Sequence, residues 1–109
     1  MNEEKNNMEC IIFKSNDKIT LFCPLINCLK ENINIKFEKN ILTIRALRLP
    51  PLIEGRIIYK TLNSDLFFSY KLPLEHIKQE NIKTNFTNSI LEINIKIDND
   101  LNSCFEVNL

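Results

Sequence analysis

Residues 30–44 and 79–93 carry nearly the same text at a constant offset of 49: KENINIKFEKNILTI lies over QENIKTNFTNSILEI, with seven of the fifteen pairs identical. The identities are Glu31 with Glu80, Asn32 with Asn81, Ile33 with Ile82, Phe37 with Phe86, Ile41 with Ile90, Leu42 with Leu91, and Ile44 with Ile93. Each copy is an extended run, a polar break at 38–40 or 87–89, and a second extended run, which is the pattern of a β-hairpin. Ile33, Ile35 and Phe37 fall on one face of the first run, with Asn34, Lys36 and Glu38 on the other. In the last run Leu91, Ile93, Ile95 and Ile97 alternate with Glu92, Asn94 and Lys96 in the same way. A slip of one residue would turn every apolar side chain outward, so the register is well specified. Neither turn contains glycine, which leaves asparagine as the residue best able to hold a left-handed backbone there.

The rest of the chain reads in the same style. Residues 9–14 and 18–23 are β-rich runs separated by Ser15-Asn16-Asp17, and residues 66–72 form another before Pro73. Residues 73–80, PLEHIKQE, are the one stretch that reads as helical, for a turn or two. Leu47 to Ile58, with Pro50, Pro51 and the sole glycine, Gly55, reads as a long irregular connection, and a short edge strand is expected at Arg56–Lys60. Seven or eight short strands at this spacing predict an all-β, immunoglobulin-like sandwich of antiparallel strands, in which the two similar hairpins contribute to opposite sheets.

With 109 residues and 44% hydrophobic content, the chain has the size and composition of one domain with one core. Its formal charge is zero and its lysines are scattered, which argues against partners such as nucleic acid or an anionic membrane surface. The first ten residues do not read as a secretory signal, and no apolar run approaches the roughly 20 residues of a membrane helix. A cytoplasmic protein is expected, in which the sequon Asn85-Phe-Thr87 goes unused. Cys10, Cys23, Cys28 and Cys104 lack the spacing of a zinc site or a disulfide framework and are read as small buried thiols. Nothing places His76, the only histidine, beside a thiol. No glycine-rich phosphate loop, metal cluster or convergent carboxylate pair stands out, so neither catalysis nor a cofactor is expected.

From about Ile19 to Ile97 the chain resembles the α-crystallin domain of small heat-shock proteins. Pro24, Leu29-Lys-Glu-Asn-Ile33 and Asn40-Ile-Leu-Thr-Ile44 are similar to that family's proline turn and the hairpin ending in V-L-T-I. Phe67-Phe-Ser-Tyr-Lys-Leu-Pro73, Glu75-His-Ile77 and Asn88-Ser-Ile-Leu91 follow in the family's order. Some positions depart from its pattern. Ser89 stands for a glycine, Thr84 for an alanine, Phe68 for an arginine at the dimer contact, and Lys60-Thr61 for a glutamate–arginine pair; these put the usual dimer electrostatics in doubt.

The resemblance implies an ATP-independent holdase that binds unfolding client proteins, with residues 1–8 as a short disordered arm, 9–98 as the sandwich domain and 99–109 as a tail. It implies a groove for clients or for a neighbour's tail, bordered by two strands and lined by Ile33, Ile35, Phe37, Ile82, Thr84 and Phe86. Alternation alone is satisfied equally well if these are ordinary core residues. It further implies that Val107 and Leu109 act as the I-x-I-like anchor of that tail, since alternate side chains specify strand-type peptide capture. A homodimer is implied, or a small oligomer limited by the short arm, with Arg56, Ile57, Ile58, Tyr59 and Lys60 as the dimer edge. Pairing of that edge within its own sheet is the alternative. The rival from a different class is a CS-type co-chaperone domain that docks on a partner chaperone; it lacks the dimer edge and tends to carry tryptophan, of which this chain has none.

Overall fold

A computed structural model describes residues 5–97. Among them are seven strands: β1 Ile11–Lys14, β2 Lys18–Pro24, β3 Cys28–Glu38, β4 Ile41–Arg48, β5 Asp65–Lys71, β6 Ile82–Thr87 and β7 Ile90–Lys96. They make one sheet in the order β1-β2-β7-β6 and a second in the order β3-β4-β5, with every neighbouring pair antiparallel. The two repeated hairpins therefore lie in opposite sheets, as the sequence predicts. Their correspondence reaches the register: Phe37 pairs with Leu42 as Phe86 pairs with Leu91, and Ile35 with Ile44 as Thr84 with Ile93.

The core is drawn mainly from the central strands. Ile19, Leu21 and Cys23 of β2 and Leu91, Ile93 and Ile95 of β7 meet Leu42, Ile44 and Ala46 of β4, with Leu66 and Phe68 of β5. Phe68 thus sits where an arginine would have to be buried. On its other side β5 turns Phe67 outward, and the Arg45 guanidinium lies 4.8 Å from that ring's centre. Among the described residues β3 and β6 each have a neighbouring strand on one side only, and their apolar faces are half-buried.

Both hairpin turns have two-residue loops, since Glu38 pairs with Ile41 and Thr87 with Ile90. In the second, Asn88 and Ser89 both have positive φ, as a tight turn matching the strand twist requires. In the first, Lys39 takes the left-handed conformation and the asparagine beside it does not, one position away from the expectation.

Residues 73–80 are not the expected helix. A single 3-10 turn spans Gln79–Asn81, with no side-chain cap at Lys78. A run of eight residues beginning at a proline gains too few hydrogen bonds to offset helix nucleation, and Leu74 and Ile77 pack against the core from an irregular chain. The edge strand expected at Arg56–Lys60 is also absent, as residues 49–64 contain no strand.

Residues 5–8, which the sequence reading set in the arm, lie against the edge of β5. Met8 is buried in the core. The Asn7 side chain accepts from the Phe67 amide at 2.7 Å and donates to the Asp65 carbonyl at 2.9 Å, while its own amide donates to the Phe67 carbonyl. Asn6 repeats the device one step along, accepting from the Ser69 amide at 2.9 Å and donating to its carbonyl at 3.1 Å. These bonds occupy backbone groups that an edge strand otherwise leaves open. The segment 99–109, and Asp98 at the end of the expected domain, lie outside the described residues.

Candidate functional site

Because the outer strands β3 and β6 belong to different sheets, an open groove of about 620 Å³ runs between them. Ile33, Ile35 and Phe37 line it from β3, and Ile82, Thr84 and Phe86 from β6. The two sets are equivalents in the repeat, so the groove is bordered by the same strand used twice. Alternation produces this arrangement: each strand turns one face inward, and with no further strand beyond it that face is only partly covered. The six side chains come together here, and five of them are partly buried hydrophobics packed against the core; Thr84 is exposed.

Sequence reasoning missed the polar rim. Lys30 and Gln79 also line the groove, as do Asn34 and Asn85, while Leu91 reaches it from the core. The offset of 49 that found the strands also relates Lys30 to Gln79, so the repeat held the signal for that pair.

The chemistry available here is that of binding. The lining includes neither a carboxylate nor a thiol nor an imidazole, and Lys30 is its one charged residue. Apolar side chains two residues apart, beside unpaired strand edges, suit an extended peptide that inserts every second side chain. Among the described residues no three His, Cys, Asp or Glu side chains converge in a way that could hold a metal ion. No helix among them is long and apolar enough to cross a membrane.

The other expected site residues are elsewhere. Arg56, Ile57, Ile58, Tyr59 and Lys60 lie in the irregular 49–64 segment, and Ile57, Ile58 and Tyr59 are 68, 87 and 82% exposed. They pair with no strand of their own sheet, so that alternative is set aside. The segment is nonetheless fastened at its ends. Arg48 Nε donates to the Ile26 carbonyl at 3.0 Å, the Arg48 amide donates to the Ser64 carbonyl at 2.7 Å, and Lys60 Nζ donates to Ser64 Oγ at 2.8 Å. Val107 and Leu109 lie outside the described residues.

Neither a family model nor a curated protein matches this sequence. Solved structures do match its fold. Heat shock protein 16.0 from Schizosaccharomyces pombe superposes with a TM-score of 0.73 at 15% identity, covering 97% of this chain and 99% of that one. A small heat-shock protein from Xylella fastidiosa gives 0.71 at 17% identity, over 94% of this chain and 96% of that one. HSP18.5 from E. histolytica gives 0.69 at 16% identity, over 94 and 95%. The chain thus has the two-sheet α-crystallin-type β-sandwich of the small heat shock proteins.

Proposed function

We propose that this protein is a small heat-shock chaperone, a holdase that binds partly unfolded client proteins without nucleotide and keeps them from aggregating. The observation that carries the reading is the apolar groove between β3 and β6, open to solvent and bordered by two unpaired strand edges. Unfolding proteins expose alternating apolar segments, and each Å² of apolar surface buried contributes roughly 25 cal/mol. The binding free energy comes from that burial and from main-chain pairing, so no covalent chemistry is required. Purified protein is expected to suppress heat-induced light scattering of a model client at near-stoichiometric ratios with no nucleotide present. Undiminished scattering at large molar excess would remove the proposal.

The groove has a second use in this reading. Val107 and Leu109, spaced by one residue, supply two side chains for adjacent pockets of a neighbouring subunit's groove. Deleting residues 105–109 is expected to reduce oligomer size in light scattering and to raise client binding, because the competing tail is gone. An unchanged size would dismiss the tail from the groove.

The dimer edge belongs to the same proposal. Arg56–Lys60 presents large apolar side chains that stand exposed among the described residues, which favours a homodimeric holdase over a docking module of the CS type. Sedimentation separates these two, since the docking module is a strict monomer.

A further inference from the structure

The antiparallel register of β1 and β2 sets Ile11 opposite Phe22, and one step further it sets Cys10 opposite Cys23. The Ser15 amide donates to the Lys18 carbonyl, which makes 15 and 18 a hydrogen-bonded pair. Alternation along the ladder then makes 10 and 23 a pair without hydrogen bonds, the kind whose Cα atoms approach to about 4.5 Å. That separation lies inside the roughly 4.4–6.8 Å a disulfide spans. The two sulfurs are already in contact at 3.1 Å. They differ in setting: Cys23 is fully buried, and its thiol donates to the Glu9 carbonyl at 3.2 Å, whereas Cys10 is partly open to solvent.

We propose that Cys10 and Cys23 form a reversible intrachain disulfide under hydroperoxide, a staple that fixes the chain before β1 to β2 and holds residues 6 and 7 on the edge of β5. Cys10 is the attacking group. The hydrogen bond between the two thiols lowers its pKa, against the opposing effect of burial, while the same hydrogen bond and then burial raise that of Cys23. The Cys10 thiolate attacks one peroxide oxygen, the O–O bond breaks, and hydroxide leaves, giving a sulfenic acid at Cys10. The Cys23 sulfur then attacks the Cys10 sulfur. The S–S bond forms, the S–O bond breaks, and water departs with the proton from Cys23. In sum two thiols and one peroxide become one disulfide and two waters, and a dithiol reductant reverses the change. Cys10 is only two residues from buried Met8 and three from Asn7, so the bond shortens the free span of the segment capping β5. This inference is independent of the chaperone reading.

The test uses the full-length reduced protein and hydrogen peroxide. After treatment, the remaining thiols are alkylated under denaturing conditions and the protein is read by intact mass and peptide mapping. The expected product has lost two hydrogen atoms and joins residues 10 and 23, with Cys28 and Cys104 alkylated. Recovery of Cys10 as sulfinic or sulfonic acid, or linkage to any other cysteine, overturns the proposal. In Cys23→Ser the same peroxide is expected to leave Cys10 as a sulfenic acid that dimedone captures, and a protein without adduct also overturns it. Hydrogen exchange reads the second half of the claim. The Phe67 and Ser69 amides, which donate to Asn7 and Asn6, are expected to exchange about fivefold more slowly in the oxidised form, because the local opening that exposes them is restrained. Equal exchange in the two forms refutes the effect on β5.

Discussion

Ser89 holds its backbone at φ 64° beside Asn88 at 54°, and only one of these residues is suited to the position. In the left-handed region the Cβ of an ordinary residue approaches its own carbonyl at a cost of about 1–2 kcal/mol. An asparagine side chain offsets part of this by local hydrogen bonding, whereas serine does so more weakly. The small heat-shock pattern places glycine where Ser89 stands, and the turn geometry supplies the reason. Ser89→Gly is therefore expected to stabilise the protein by about 0.5–1 kcal/mol after allowing for glycine's extra unfolded-state entropy. In thermal melting this is a rise in Tm of about 4 °C; a fall would show that the serine hydroxyl matters more than the strain. Lys39, which the offset of 49 pairs with Asn88, also has a left-handed backbone, at φ 58°, whereas Asn40, the equivalent of Ser89, does not. The sequence pointed to the turns correctly and to the wrong residue in one of them, because two-residue loops fix where positive φ falls by strand twist and not by which residue tolerates it best.

At the scale of the elements, the two copies of the groove strand differ where it counts. Ile33 and Phe37 face identical equivalents in Ile82 and Phe86, but Ile35 answers to Thr84, so one wall has a polar notch halfway along. Thr84→Ile, at an exposed position, restores the repeat and adds apolar area worth about 1 kcal/mol to an inserted side chain, about a fivefold gain in affinity. Ile35→Thr is expected to cost a similar factor. Fluorescence anisotropy of a labelled peptide spanning residues 103–109 reads both, and equal affinities in the two variants would separate the groove from peptide capture. Strands β3 and β6 were legible in the sequence because a period of two and a repeat of 49 point to the same residues, whereas the expectation of a groove between them came from the family resemblance, since alternation fits core residues equally well. Other elements gave no such signal. The Asn6 and Asn7 contacts follow from amide side chains imitating a strand's backbone, which leaves no periodicity to read. Residues 56–60 have strand-like composition, but a strand exists only with a partner, and the described residues provide none. The facing of Cys10 and Cys23 was implicit in the turn at Asn16-Asp17, yet it needed the register to be fixed before the two could be seen as neighbours.

For the whole molecule, the question is which strand edges remain for a second copy. The β5 edge is occupied at residues 65, 67 and 69 by Asn6 and Asn7, and the outer edges of β3 and β6 flank the groove. The outer edge of β1 pairs with no strand among the described residues, and by the alternation of its ladder Ile12 and Lys14 direct their backbone groups outward there. An extended Arg56–Lys60 from a second copy, fastened at Arg48 and Ser64 in its own chain, suits that edge. Burying Ile57, Ile58 and Tyr59 contributes about 1.5–3 kcal/mol each, and twofold symmetry uses every contact twice. The sum is of the same order as the roughly 4–15 kcal/mol that association costs. On the homodimer proposal, apolar burial alone therefore leaves the pair near balance, and main-chain pairing along β1 would tip it toward assembly. Ile58→Lys removes one large contribution from each half of the pair and places a charge in it, so the dissociation constant is expected to rise by at least about a thousandfold. Sedimentation velocity at micromolar concentration then shows a dimer for the natural sequence and a monomer for Ile58→Lys, with Lys14→Pro, which deletes one outward amide from β1, weakening the pair to a lesser degree. A dimer that survives Ile58→Lys would place the contact on another surface, and a natural protein that is monomeric at these concentrations would leave the exposed Ile57–Tyr59 run to some other partner.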